Sequence, residues 1–196
     1  MARQNLTAES RRALTVEAVI ALAATTNPAA LTTAQIAAHM GVTQGALFRH
    51  FADKAQIWTA VVEWTASELL GRFDRVSGTT PTERLRGMFD AHIDCIMTYP
   101  GVPRIVFAEL QRAGDTAGKA QVMTLMRDYR ARVMAVLDQA ADQSLINPST
   151  DTAAAATQFL GMIQGLVMQA MAADDFASMP AMAHRLFPLF LAGLGA

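Results

Sequence analysis

Residues 31–51 read LTTAQIAAHMGVTQGALFRHF, and the centre of that stretch is a turn between two short helices. Ile36, Ala37 and Met40 share one face of an amphipathic run. Gly41 follows it, where glycine supplies the left-handed backbone that ends a helix. Val42 then places an apolar side chain under the turn, and Thr43 offers its hydroxyl to the free amides of a second helix that carries Leu47 and Phe51 inward, four residues apart. Ala37 is small enough for the helices to approach closely. The pattern therefore predicts two helices meeting at a three-residue turn, a helix-turn-helix.

Helix starts are marked too. Thr32 with Gln35, and Asp53 with Gln56, fit the reciprocal capping box, in which the first side chain bonds the N3 amide and the N3 side chain reaches back. Upstream, Thr7 to about Thr26 gives a helix with Leu14, Ala18, Ala21 and Leu22 on one apolar side, broken at Asn27-Pro28. The prediction is a three-helix unit over residues 1–54 and a connecting helix over about 53–73.

The order T-x-x-I-A-x-x-x-G-V-x-x-G-x-L-F-x-H-F-x-x-K, from Thr33 to Lys54, resembles the DNA-binding signature of the tetracycline-repressor (TetR/AcrR) family of bacterial regulators. The close match covers the first quarter of the chain, and the length of 196 residues and the helical remainder fit that family's two-domain plan. The resemblance implies an all-α protein of about nine helices. An N-terminal three-helix DNA-binding domain would be joined by the connecting helix to a C-terminal ligand-binding and dimerisation domain at 74–196. Most members have tyrosine where Phe48 stands, and the resemblance implies a tyrosine hydroxyl on a DNA phosphate there, which phenylalanine does not supply.

Helix geometry selects the side chains that would face DNA. With Val42, Leu47 and Phe51 turned inward, Thr43, Gln44, Gly45, Ala46, Phe48, Arg49 and His50 occupy the outward and flanking faces. Gln44 is the best base reader, because its amide matches the N6/N7 edge of adenine; Ala46 suits a thymine methyl, and Gly45 permits close backbone approach. Thr33, Thr43, His50 and Lys54 are expected on phosphates, and Arg49 suits either role.

Composition bounds the remainder. At 52% apolar residues and a mean hydropathy of +0.22, the chain buries a core rather than staying disordered. The single cysteine, Cys95, rules out an internal disulfide framework, and no N-terminal signal pattern is present, so a cytoplasmic location is expected. The net charge of −1 divides unevenly, with +2 over residues 1–54 and −3 beyond, which favours the N-terminal end as the DNA partner.

From Thr152 to Ala173 there is no charged residue, a length sufficient to span a bilayer. Three glutamines and two threonines within it, and acidic flanks without basic anchors, argue against a membrane partner. A helix packed between its own domain and a second copy of the chain fits better, with Gly161 and Gly165 giving a flat face or merely easing packing inside the subunit. Gly161, Gly165, Met168, Phe187 and Phe190 are the candidates for a homodimer interface. Further helices are expected at Thr80–Tyr99, Val102–Ala113, Ala117–Ser144, Asp151–Ala173 and Met179–Gly193, the last kinked or locally opened by Pro188.

Ten of the 12 methionines lie between Met88 and Met182. With the aromatic residues of the same helices they form either core or an adaptable pocket. Met88, His92, Phe107, Met126, Tyr129, Phe159, Met162 and Gln164 are the candidates for an unidentified small-molecule effector. Asp90, His92, Asp94 and Cys95 cluster on one helix, but no second ligand-rich segment completes a catalytic or metal site, and no cofactor motif is present. The resulting expectation is a homodimeric repressor released from a near-palindromic operator by a mostly apolar ligand. A ligand-independent regulator or activator, and a helical interaction module without DNA binding, are the alternatives.

Overall fold

The structure is a computed structural model that describes residues 7–195. Those residues form helices α1 (Ala8–Ala23), α2 (Thr33–His39), α3 (Gln44–Leu47), α4 (Lys54–Asp74), α5 (Pro81–Thr98), α6 (Gly101–Leu110), α7 (Ala117–Asp142), α8 (Thr152–Ala173) and α9 (Met179–Gly193). A single 3-10 turn, Pro28–Ala30, follows Asn27, whose side chain accepts from the Ala29 amide at 3.0 Å. Among the described residues there is no strand, and the chain is all-α. No described helix is long and apolar enough to cross a membrane.

The helix ends follow the local rules. Thr7 caps α1 by accepting from Ser10 N, and Thr32 with Gln35 forms both bonds of the capping box. Asp53 accepts from Gln56 N at 2.8 Å, but the Gln56 side chain reaches one residue further back, to the amide of Ala52. At the start of α5 the Glu83 carboxylate takes the Thr79 hydroxyl and the amides of Thr79 and Thr80, and these bonds hold its pKa below the ordinary range.

Two compact units result. The first takes the chain up to Ala66 together with Tyr99–Met123, and the second takes Ser67–Thr98 and the chain from Thr124 onward. In the first unit the sequence-based reading of α1 needs correction. Its buried apolar face is Val16, Ala18, Val19, Ile20 and Ala23, so Ala18 is buried as expected and Leu22 is half-buried, whereas Leu14 is 41% exposed and Ala21 is exposed. The reason is α6, which packs against α1 so closely that a Cβ on Gly101 would collide with the Ile20 carbonyl oxygen. Trp64 and Tyr99 meet edge to face at 4.8 Å in the same unit.

The second unit is centred on aromatic rings. Phe89 contacts Phe159 at 5.6 Å and Phe187 at 5.2 Å, Phe159 contacts Phe190 at 5.7 Å, and all four are buried. Such pairs add to the stabilisation from apolar burial itself. Two helices end in left-handed residues that are not glycine: Ser144 after α7 and Asp174 after α8. Helix α9 continues through Pro188.

Because the atoms facing Gly101 are backbone, they cannot swing aside. Gly101→Ala is expected to destabilise the protein by about 1–3 kcal/mol through overpacking, measured by urea denaturation. An unchanged midpoint would show that α1 and α6 can separate at little cost.

Candidate nucleic-acid interface

Presentation of α3 starts with the turn before it. Gly41 has φ +66°, and the Val42 amide reaches back to the Ala37 carbonyl at 2.9 Å while the Gly41 amide bonds Ala38 O at 3.1 Å. Together these close the left-handed helix stop read from the sequence. Thr43 caps α3 by accepting from the Ala46 amide at 3.2 Å. Leu47 and Phe51 are buried beneath, and the Arg12 guanidinium lies 4.4 Å from the centre of the Phe51 ring while donating to the His50 carbonyl at 2.7 Å. Arg12 thereby fixes the far end of α3, a role that sequence spacing did not signal.

Thr43, Gln44, Gly45, Phe48 and Arg49 are exposed, and Ala46 is half-buried. They form one outward surface, and a Cβ on Gly45 would meet nothing within 4 Å, which leaves room for a close neighbour. Gln44 donates from Nε2 to the Thr33 hydroxyl at 2.7 Å, joining the two helices across the turn. His50 is half-buried and lines a groove with Leu14, Met40, Val42 and Leu47, between α1 and the turn.

Lys54 is placed differently from the other candidates. Its Nζ donates to the Leu31 carbonyl and stands 5.2 Å from the centre of the Trp58 ring. Burial pulls its pKa below the ordinary value, the charge of Arg112 acts in the same direction, and Glu109 opposes them. The ammonium thus ties the start of α4 to the segment entering α2. Glu109 is 1% exposed, with one carboxylate oxygen accepting from Arg112 at 2.9 Å.

The candidates for an effector site divide between the units. His92, Tyr129 and Phe159 come together in the second unit, where His92 Nδ1 and the Tyr129 hydroxyl are 3.1 Å apart and the Tyr129 and Phe159 rings lie 6.3 Å apart, while Met88 is buried in the same unit. Met126 and Met162 on α7 and α8 are partly buried, Gln164 is exposed, and Phe107 belongs to the first unit. Burial lowers His92 to about 4 and raises Tyr129 well above its usual value. Cys95 is pushed up to about 11 by burial, so it stays a thiol at neutral pH. Asp90 pairs with Arg86 at 2.7 Å.

Of the dimer candidates, Gly161 and Met168 are exposed and Gly165 partly so, and a Cβ on either glycine would meet nothing within 4 Å. Phe187 and Phe190 face the other way. Their rings are buried against Phe89 and Phe159, so these two belong to the core of the subunit and not to its surface.

A capped, exposed second helix held on a small helical unit is the architecture of a DNA-binding regulator. A family model described as "Bacterial regulatory proteins, tetR family" matches residues 16–61, and one described as "Tetracyclin repressor-like, C-terminal domain" matches residues 78–184. The chain belongs to the tetR family of transcriptional regulators. The nucleoid occlusion factor SlmA of Idiomarina loihiensis is 23% identical over 164 residues, 82% of this chain and 83% of that protein. The ketosteroid transcriptional regulator KstR2 of Mycobacterium tuberculosis superposes with a TM-score of 0.77 at 21% identity, over 98% of this chain and 96% of its own. The regulator FadR of Bacillus subtilis, solved in complex with stearoyl-CoA, gives 0.76 at 15% identity, over 92% and 98%. At these identities the structural likeness is one of fold.

Two outcomes follow for this site. Lys54→Met should lower stability by about 1.5 kcal/mol, the lower end of the range for a hydrogen bond to a charged group, as read by thermal unfolding; unchanged stability would show that the bond to Leu31 adds nothing to the fold. His92 has a folded pKa below its unfolded one, so the unfolded chain binds the extra proton first and stability falls as pH drops from about 6.5 to about 4. The loss is at most about 3 kcal/mol. Denaturation midpoints across that window should flatten in His92→Gln, and an equal slope in both proteins would remove His92 as the cause.

Proposed function

We propose that the chain is a homodimeric repressor that binds a near-palindromic operator and is released by a small, mostly apolar ligand. The observation that carries the dimer is the outer face of α8 and α9. Gly161, Gln164, Met168 and Ala172 on α8 are exposed, as are Met182, Arg185 and Leu189 on α9, with Met168 at 53% and Leu189 at 69%. An uncharged α8 surface beside large exposed apolar residues is what a twofold contact between copies requires. A dimer sets two α3 helices on successive major grooves, about 34–36 Å apart or more, which a single short helix cannot match in specificity.

Within each copy, Gln44 is the base reader, with Arg49 beside it. Thr33 and Thr43 stand where phosphate contacts are expected, and His50 flanks them. The domain that does this reading is residues 1–54, followed by the connecting helix, and the effector and dimer functions fall within 74–196. An effector bound more tightly in the form with misplaced α3 helices lowers the population that binds DNA, by linkage. The stearoyl-CoA bound by the FadR relative is a precedent for an apolar chain in this fold.

Gel shifts on the DNA upstream of the coding gene test the reading. The wild type should bind specifically at nanomolar concentration with a steep salt dependence, and Gln44→Ala should alter the preference among operator variants by about 1–3 kcal/mol at one position. Uniform weakening on every variant would sink the assignment of Gln44. Because the space beyond Gly161 is open in the subunit, Gly161→Arg should give folded monomers by analytical ultracentrifugation, with operator affinity strongly reduced. A Gly161→Arg dimer would place the twofold contact elsewhere.

A further inference from the structure

In the second unit a cavity of about 250 Å³ is bounded by Phe73, Val76, Arg84, Met88, Arg132 and Val136, with Asp74 at its rim. Its floor is apolar and its edge carries two guanidinium groups against one carboxylate. Arg84 bonds the Gln139 side chain, and Arg132 bonds both the Leu70 carbonyl and Asp74. Each guanidinium has five N–H donors in a planar fork that matches a carboxylate or phosphate, so donors remain on both. Asp74 is 65% exposed and is able to swing away from Arg132 when an anion competes for it.

Phe73 forms the inner wall of this cavity. Its ring meets Tyr129 edge-on at 4.9 Å and lies 6.5 Å from His92. Behind it, the neutral His92 and Tyr129 bring two donors, one N–H and one O–H, and their mutual bond uses one of them. The open cavity alone is below the roughly 300–1,000 Å³ of ordinary ligand pockets, so a ligand of useful size must also occupy space now filled by the Phe73 ring.

We propose that this cavity is the mouth of the effector site and that it takes a long-chain amphiphile with an anionic head, a carboxylate or a phosphate ester. Arg84 and Arg132 hold the head, Phe73 turns aside as a gate, and the chain enters beside the His92–Tyr129 pair. This assignment rests on the ligand-controlled reading given above and names the chemistry of its ligand.

Isothermal titration of the full chain with dodecanoate, dodecyl phosphate and dodecanol, all below micelle formation, tests it. At least one anionic probe should bind tenfold or more tightly than dodecanol, and which one does so separates carboxylate from phosphate. Arg84→Gln with Arg132→Gln should abolish that preference. Asp74→Asn, which removes the competing carboxylate and leaves the arginines in place, should strengthen anion binding about threefold and guards against misfolding of the double variant. Phe73→Leu should speed association of the bound anion in stopped-flow measurements. Equal affinity for dodecanol, an anion preference that survives loss of both arginines, or no binding of any probe would overturn the site, and an unchanged association rate would overturn the gate. The same probes in the operator gel shift separate the two readings. Tight anion binding that leaves the operator complex intact defeats ligand-released repression but not the site, whereas release by dodecanol alone defeats the site but not the repression.

Discussion

A helix of four residues does not hold itself. Nucleating a helical turn costs more than its few hydrogen bonds return, and α3 is too short to recover that cost by propagation. Its position therefore depends on what surrounds it: the left-handed stop at Gly41, the Thr43 cap, the buried Leu47 and Phe51, and Arg12 clamped over the Phe51 ring and on the His50 carbonyl. Remove that frame and no defined surface is left for DNA. The same logic explains Lys54, whose charge is spent on the Leu31 carbonyl to hold α4 against the segment leading into α2.

Much of this frame is legible in the sequence because its signals are local. Glycine after an apolar run, threonine at a helix start and a capping box at Thr32 and Gln35 act within a few residues, and the structure contains each of them. Long-range packing left no such mark. The apolar residues of α1 admit two faces, and only α6, some eighty residues later in the chain, selects Val16, Val19 and Ile20 over Leu14. The helix ends expected at Ser144 and Ala173 lie beside the observed ends at Asp142 and Ala173, although the residues that close them, Ser144 and Asp174, take the backbone region that usually calls for glycine.

The C-terminal candidates show the same division. Spacing put aromatic and methionine residues on α5, α7 and α8, but could not say which rings stack on one another and which stand open. Phe187 and Phe190 turn inward onto Phe89 and Phe159, while Met168, Met182 and Leu189 carry the apolar surface outward. His92 and Tyr129 sit on different helices 37 residues apart, and only folding brings their polar atoms together. Periodicity identifies a buried face. Tertiary contact decides what that face does.

The bond from Gln44 to Thr33 carries a consequence for how specificity changes over evolution. A surface glutamine normally samples many rotamers and loses that freedom on binding, at a cost of up to about 2 kcal/mol. Here a hydroxyl from the neighbouring helix already restrains the amide, so part of that entropy is surrendered during folding. The residue at position 33 thereby becomes a steering element for the residue at 44. Under the proposed assignment of base reading to Gln44, a drift in operator preference can begin in α2, at position 33, before α3 itself changes.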